Sequence, residues 1–246
     1  MKSETLENNP HFLSTLPPGP KERAGLRAVI AASALLFFVL LPFAKVPMPH
    51  NPGFIPVYET LLVVIDLITA VLLFGQYQIL RSRALLCLAC GYLFAAFMEV
   101  GHALSFPYAF SGQGMIGGGP QTTAWIYLFW HAGFPLFVIG YALFQGTIEQ
   151  ASRRGFAGVV GVLAVALALV QLAASGVGLP VLIVDNVTNV TLTAAVIGIW
   201  ALCFGALLLL WNKRPLATLD LWLMVVMWAW LFDVGLSALL DRKSVV

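Results

Sequence analysis

The sequence predicts an all-α fold: a polytopic helical membrane bundle of about seven transmembrane helices with a cytoplasmic N-terminus. Three observations carry this. The 246 residues are 60% hydrophobic and only 10% charged, with a mean hydropathy of +0.92, which excludes an ordinary soluble domain. Apolar runs of roughly 20 residues recur along the chain, the length a helix needs to cross a bilayer. The short alternating segments of a β-barrel are absent.

Residues 1–24 are polar and hold Pro10, Pro17, Pro18 and Pro20, the composition of a disordered leader. No cleavable signal peptide is evident, since the first apolar run starts only after that leader. Residues 25–239 form the seven-helix domain. Helices are expected over 25–44, 55–79, 84–106, 122–145, 156–175, 190–211 and 217–239. The loop at 45–54 holds too many prolines to be helical. A second long loop contains Pro180 and Asp185. Residues 240–246 are expected to be a short tail with no output domain, and an odd count of seven spans predicts that the tail lies outside.

Basic residues set the orientation. One side of the alternating spans holds Lys2, Lys21, Arg23, Arg27, Arg81, Arg83, Arg153, Arg154, Lys213 and Arg214. The other holds Lys45, Arg242 and Lys243. Ten against three makes the first side cytoplasmic, or inner. A net charge of +2, with the basic residues scattered between spans, gives no basis for nucleic-acid binding.

Against that orientation the buried ionisable groups gather in the outer half. Helix rise places Glu59 about 6 Å below the outer boundary, with Asp66 nearer the middle of helix 2. Glu99 and His102 on helix 3 lie about 10 and 6 Å deep, His131 on helix 4 about 13 Å, and Asp233 on helix 7 about 10 Å. Ionisable groups inside a membrane are costly and therefore candidates for function. Glu59 and Asp66 are seven residues apart and share a side of helix 2, as Glu99 and His102, three apart, do on helix 3. Pro135 has no N–H for the carbonyl of His131, so helix 4 is expected to bend there. Trp125, Trp130, Phe134, Trp228 and Trp230 supply walls for a pocket. The expected ligand-binding set is thus Glu59, Asp66, Glu99, His102, Trp125, Trp130, His131 and Asp233, with Glu59, Glu99, His102, His131 and Asp233 converging on one cavity open to the outer face.

Several chemistries fit such a set. Glu99-x-x-His102 resembles half of a di-metal carboxylate motif whose second such pair is missing, and Glu99, His102 and His131 are the candidate metal ligands. His102 and His131 lie on adjacent helices and are also candidate axial haem ligands, though their depths differ. An interhelical hydrogen-bond network without a ligand is the plain alternative. A small-molecule or proton-sensitive pocket is the remaining reading. The cofactor is left unknown. Asp220 reads as a favourable negative charge at the N-terminus of helix 7.

Other motifs lose their meaning in context. Cys87-Leu-Ala-Cys90 matches C-x-x-C but lies inside a span, where packing is the better reading, as it is for Cys203. Gly112-Gln-Gly114-Met-Ile-Gly117 spells G-x-G-x-x-G, but it joins two membrane helices on the outer side and follows no strand. Asn186-Val-Thr188 and Asn189-Val-Thr191 match glycosylation acceptors, a short pattern that recurs by chance. No nucleophile–base pair or zinc-ligand cluster of usable spacing appears, so the chain is not expected to be an enzyme.

The runs F-I-P-V-Y-E-T (54–60), D-L-I-T-A-V-L-L-F-G-Q (66–76), H-A-L-S-F-P (102–107) and G-P-Q-T-T-A-W-I-Y-L-F-W-H-A-G-F-P-L (119–136) resemble the type-four membrane-associated sensor (MASE) domain, as does R-A-L-L-x-L-A-x-G-Y-L-F from Arg83. The resemblance implies a multi-pass input domain of the bacterial inner (plasma) membrane, of the kind that precedes a cytoplasmic diguanylate cyclase or histidine kinase module. It would act in signal transduction, and any output activity would reside in that cytoplasmic module. It brings no ligand, so no residue acquires a role from it. The expected partners are the lipid bilayer, a small ligand or metal, and a second copy in a homodimer. A small proton-coupled transporter and an intramembrane haem or metal protein are the competing functions. Broken helices in corresponding halves would favour transport, and no convincing internal repeat is found.

Overall fold

The structure, a computed structural model, describes residues 16–43, 53–107, 109–110, 112, 114–117, 119–148, 154–184, 187–213 and 216–240. Within them the element order is α1 (Pro20–Leu40, followed by a 3-10 turn, Leu41–Phe43), α2 (Phe54–Leu80), α3 (Arg83–Ser105), α4 (Gly119–Phe144) and α5 (Arg154–Ser175). A two-stranded hairpin follows, β1 (Ile183–Val184) and β2 (Val187–Thr188), then α6 (Val190–Asn212) and α7 (Thr218–Leu240). Seven helices among the described residues are long and apolar enough to cross a membrane.

The first helix starts earlier than its hydropathy suggested. Pro20 stands at its first turn, where a missing N–H costs nothing. The last part of the expected leader is therefore helical from Pro20, and Leu16 is also held. Its carbonyl accepts from both the backbone N and the hydroxyl of Thr218, at 3.0 and 3.1 Å, which ties the entry of α1 to the start of α7. The remainder of the leader and the tail from Asp241 lie outside the described residues.

α3 is the hub. It packs on α2, α4 and α5, while α4 also packs on α5, α6 and α7; α6 lies on α7, and α1 on α7. Accordingly 67% of the apolar window of α3 is buried, against 0% for α1. Small residues allow this. A side chain at Gly91 would come within 2.6 Å of Phe137 Cβ, and one at Gly133 would run into the ring of Phe94. Glycine thus sets the close approach of α3 and α4, where packing between apolar helices must replace the hydrophobic effect. The core follows that seam through Leu88, Phe94, Met98, Ile126, Phe134 and Val138.

Loops lock the two ends, named inner and outer after the orientation that the basic residues predict. On the inner side Arg81 adopts the left-handed conformation (φ 53°) that ends α2, and the Arg83 N–H donates to Thr147 O at 3.1 Å. There Asp220, almost fully buried, accepts from the Tyr141 hydroxyl (2.7 Å), the Gln145 amide (2.6 Å) and the Ala217 N–H (2.7 Å). Asp220 does cap α7, but it also fastens α4 to it, a role its place in the sequence did not reveal. On the outer side Gly114 (φ 80°) lies against Ser105 O too closely for any Cβ. The outer loop before α6, read only as a loop from sequence, contains the β1–β2 hairpin with Ile183 opposite Thr188. Gln121 holds it with both ends of its amide, Nε2 donating to Ile183 O at 2.5 Å and Oε1 accepting from Leu182 N at 3.0 Å. Asn189 is the N-cap residue of α6 and its amide donates to Val181 O, so that candidate acceptor is used in the fold. Asp185 and Asn186 lie outside the described residues.

Candidate functional site

Glu59 sits in the second turn of α2, on the one stripe of that half of the helix that meets the bundle. It is 3% exposed, and no other residue from Phe54 to Thr69 is buried. Its Oε1 lies 2.5 Å from His102 Nδ1, so one proton joins the two groups across the α2–α3 interface. The end of α3 that carries His102 is fixed by its own sequence. The Ser105 hydroxyl donates to the His102 carbonyl at 2.8 Å, and Thr123 of α4 donates to Ser105 O at 3.0 Å.

A second pair stands one helix further on. His131, in the middle of α4, is 3% exposed. Its Nδ1–H donates to the Tyr127 carbonyl one turn back, at 2.9 Å, because a carbonyl can only accept. That fixes the other nitrogen, Nε2, on Asp233 Oδ2 of α7, also at 2.9 Å. With Nδ1 already carrying a hydrogen, this contact is a bond only while a further proton sits between Nε2 and the carboxylate. The Asp233 side chain is 57% exposed, so the pair has a buried end and an open one.

Aromatic rings join the pairs. Tyr127 stacks on His131 with centroids 3.8 Å apart and lies 6.2 Å from the His102 ring. Trp130 lies 6.1 Å from His102 and 4.5 Å from His131, and Trp230 of α7 closes the far side at 4.6 Å from His131. Glu59, His102, Trp130, His131 and Asp233 therefore form one continuous constellation drawn from α2, α3, α4 and α7. Asp66 of α2 and Glu99 of α3 stand beside it as neighbouring carboxyls. Glu59 Oε2, Glu99 Oε2 and Trp130 Nε1 are buried with no partner among the described residues. Glu59 and Glu99 are thus buried carboxyls in an apolar span, where polar groups are costly and mark candidate functional sites.

Tyr127, Trp130 and Trp230 stand between and around the two histidine pairs. Two hollows lie elsewhere, one of about 440 Å³ against Phe54, Tyr58 and Leu61 on α2, and one of about 470 Å³ between α3, α4 and α5. Glu99, His102 and His131 are not gathered as a ligand set: among the described residues no group of three or more His, Cys, Asp or Glu is placed to hold a metal. Glu59 holds His102, and Tyr127 and Asp233 take both nitrogens of His131, which also leaves His131 no free nitrogen for a haem iron. Trp125 faces away from the histidines. Its Nε1 donates to Pro180 O at 3.2 Å and its ring lies on Phe129, so it pins the outer loop. Pro135 is buried within α4, one turn beyond His131. Tyr127 was missed altogether, although its position four residues before His131 puts it on the same helix face.

No curated protein and no solved structure matches the chain. The family MASE4, described as a membrane-associated sensor, integral membrane domain, matches residues 49–246. That span takes in α2 to α7 and every residue of the constellation. The chain belongs to the MASE4 family of membrane-associated sensors and is an integral, multi-pass membrane sensor domain.

Proposed function

We propose that this domain is the input module of a signalling protein of the bacterial inner membrane, and that α2 is the element that moves when a stimulus arrives. The carrying observation is the isolation of Glu59. The outer half of α2 presents Val57, Leu61, Ile65 and Ile68 outward, all exposed, and buries Glu59 alone. That half-helix thus has Glu59, bonded to His102, as its one fully buried side chain, with Leu62 only partly buried against the core, whereas its inner half is packed through Ala70, Leu73 and Tyr77. A proton or small polar solute reaching the constellation from the outer side competes for that bond and for the His131–Asp233 bond. Loss of either changes how α2, or α7, sits on the α3–α4 core. Equilibria of this sort need only a few kcal/mol between two arrangements.

The titratable groups in reach are Tyr58, Glu59 and Asp66 of α2, Glu99 and His102 of α3, Tyr127 and His131 of α4, and Asp233 of α7. The test places spin labels at Leu61 on α2 and Ile197 on α6, in nanodiscs, with Cys87, Cys90 and Cys203 replaced by alanine. The distance distribution is expected to shift when the outer pH is changed and to be shifted permanently, and pH-insensitive, in His102→Ala. A distribution identical in both proteins at every pH would overturn the assignment.

A further inference from the structure

The hollow of about 470 Å³ lies far from the histidines and is independent of the reading above. It opens sideways between the first turns of α3, the last turns of α4 and the first turns of α5, all of which are inner ends. Its walls include Cys87, Cys90 and Phe137, and its floor is hollowed by Gly158 and Gly161. The space above Gly161 is open, with nothing within 4 Å of where a Cβ would stand. Arg83 is the sole ionisable cation on the wall and is exposed at the mouth. Among the described residues no carboxylate pairs with it: the two ion pairs found both belong to histidines.

We propose that this groove binds an anionic phospholipid of the inner leaflet, one acyl chain lying along α3 and the phosphate meeting Arg83. An apolar furrow open to hydrocarbon excludes water, because water there would lose its hydrogen bonds. From Arg83 to Cys90 the groove extends about 10 Å, most of one leaflet of a hydrocarbon core about 30 Å thick. At its inner end a guanidinium presents the planar donor fork that matches phosphate oxygens. Anionic headgroups are concentrated at cytoplasmic surfaces, which the orientation of the basic residues assigns to this end. Charge at the mouth and apolar walls beneath it fit one amphiphile and not a soluble anion.

Native mass spectrometry of the chain from micelles with equimolar phosphatidylglycerol and phosphatidylcholine tests this. The wild type is expected to retain phosphatidylglycerol several-fold over phosphatidylcholine. Arg83→Gln should bring the two to parity. Gly161→Leu, which fills the floor without a clash, should lose both, whereas Gly198→Leu on the exposed face of α6 should behave as wild type. Thermal melting of each variant identifies any that fails to fold, and Ala157→Leu, on the same wall, serves as a second filling variant. Retention without headgroup preference, or preference unchanged in Arg83→Gln and in the filling variants, overturns the proposal.

Discussion

Glu59 and His102 meet at 2.5 Å across an interface where Glu59 is the one fully buried side chain in the outer half of α2. Polar bonds between membrane helices are worth about 0.6 kcal/mol on average and up to about 1.7. This one should lie near the upper end, since Glu59 is buried and its second oxygen has no partner. A double-mutant cycle of Glu59→Gln and His102→Asn, read by unfolding in mixed micelles, is expected to give a coupling energy of about 1–2 kcal/mol. Additive single effects would show that the two side chains are merely adjacent.

The His131–Asp233 contact makes a different prediction, because His131 Nδ1 is committed to the Tyr127 carbonyl. Asparagine at position 233 can donate to Nε2 with no added proton, whereas alanine cannot. Asp233→Asn should therefore melt close to wild type, while Asp233→Ala should lose about 1 kcal/mol. The order of the two melting temperatures is the check, and equal losses would refute the bonding scheme.

Gly133 reports on the α3–α4 seam. A methyl group there meets the Phe94 ring, which is itself buried. Overpacking a tight interior costs about 1–3 kcal/mol, so Gly133→Ala should lower the melting temperature. The double change Gly133→Ala with Phe94→Leu should recover part of it.

At the inner end Asp220→Ala removes the acceptor shared by Tyr141, Gln145 and the Ala217 N–H. Hydrogen bonds to a charged group contribute about 1.5–3 kcal/mol each, and orphaned buried donors add to the loss. A loss of about 3 kcal/mol or more is expected in a thermal melt. Asp220→Asn should fall between the two, since its one acceptor oxygen serves some of the donors.

On the outer side the hairpin depends on one amide. Gln121→Leu removes both of its bonds to Leu182 and Ile183 while keeping similar bulk. Amide hydrogen exchange at Leu182 is expected to quicken at least ten-fold, with exchange in α3 unchanged.

Seven spans, their ends to within a few residues, and the common level of Glu59, His102, His131 and Asp233 along the bundle were all legible in the sequence. Length and apolarity alone fix a membrane helix, because its backbone must bond to itself in lipid. The rise per residue then fixes depth. Pro20 moved the start of α1 because a proline is silent in hydropathy yet well suited to a first turn. Partnership was not legible. Glu99 is three residues from His102 on the same helix, yet His102 bonds Glu59 of α2, 43 residues away in sequence. Trp125 and Trp130 look alike in sequence, and only Trp130 reaches the histidines. Helices that are apolar all round carry no stripe to say which side faces inward. Their rotation and neighbours are decided by shape, by where glycines such as Gly91 and Gly133 admit a bulky ring, and so by the tertiary structure alone.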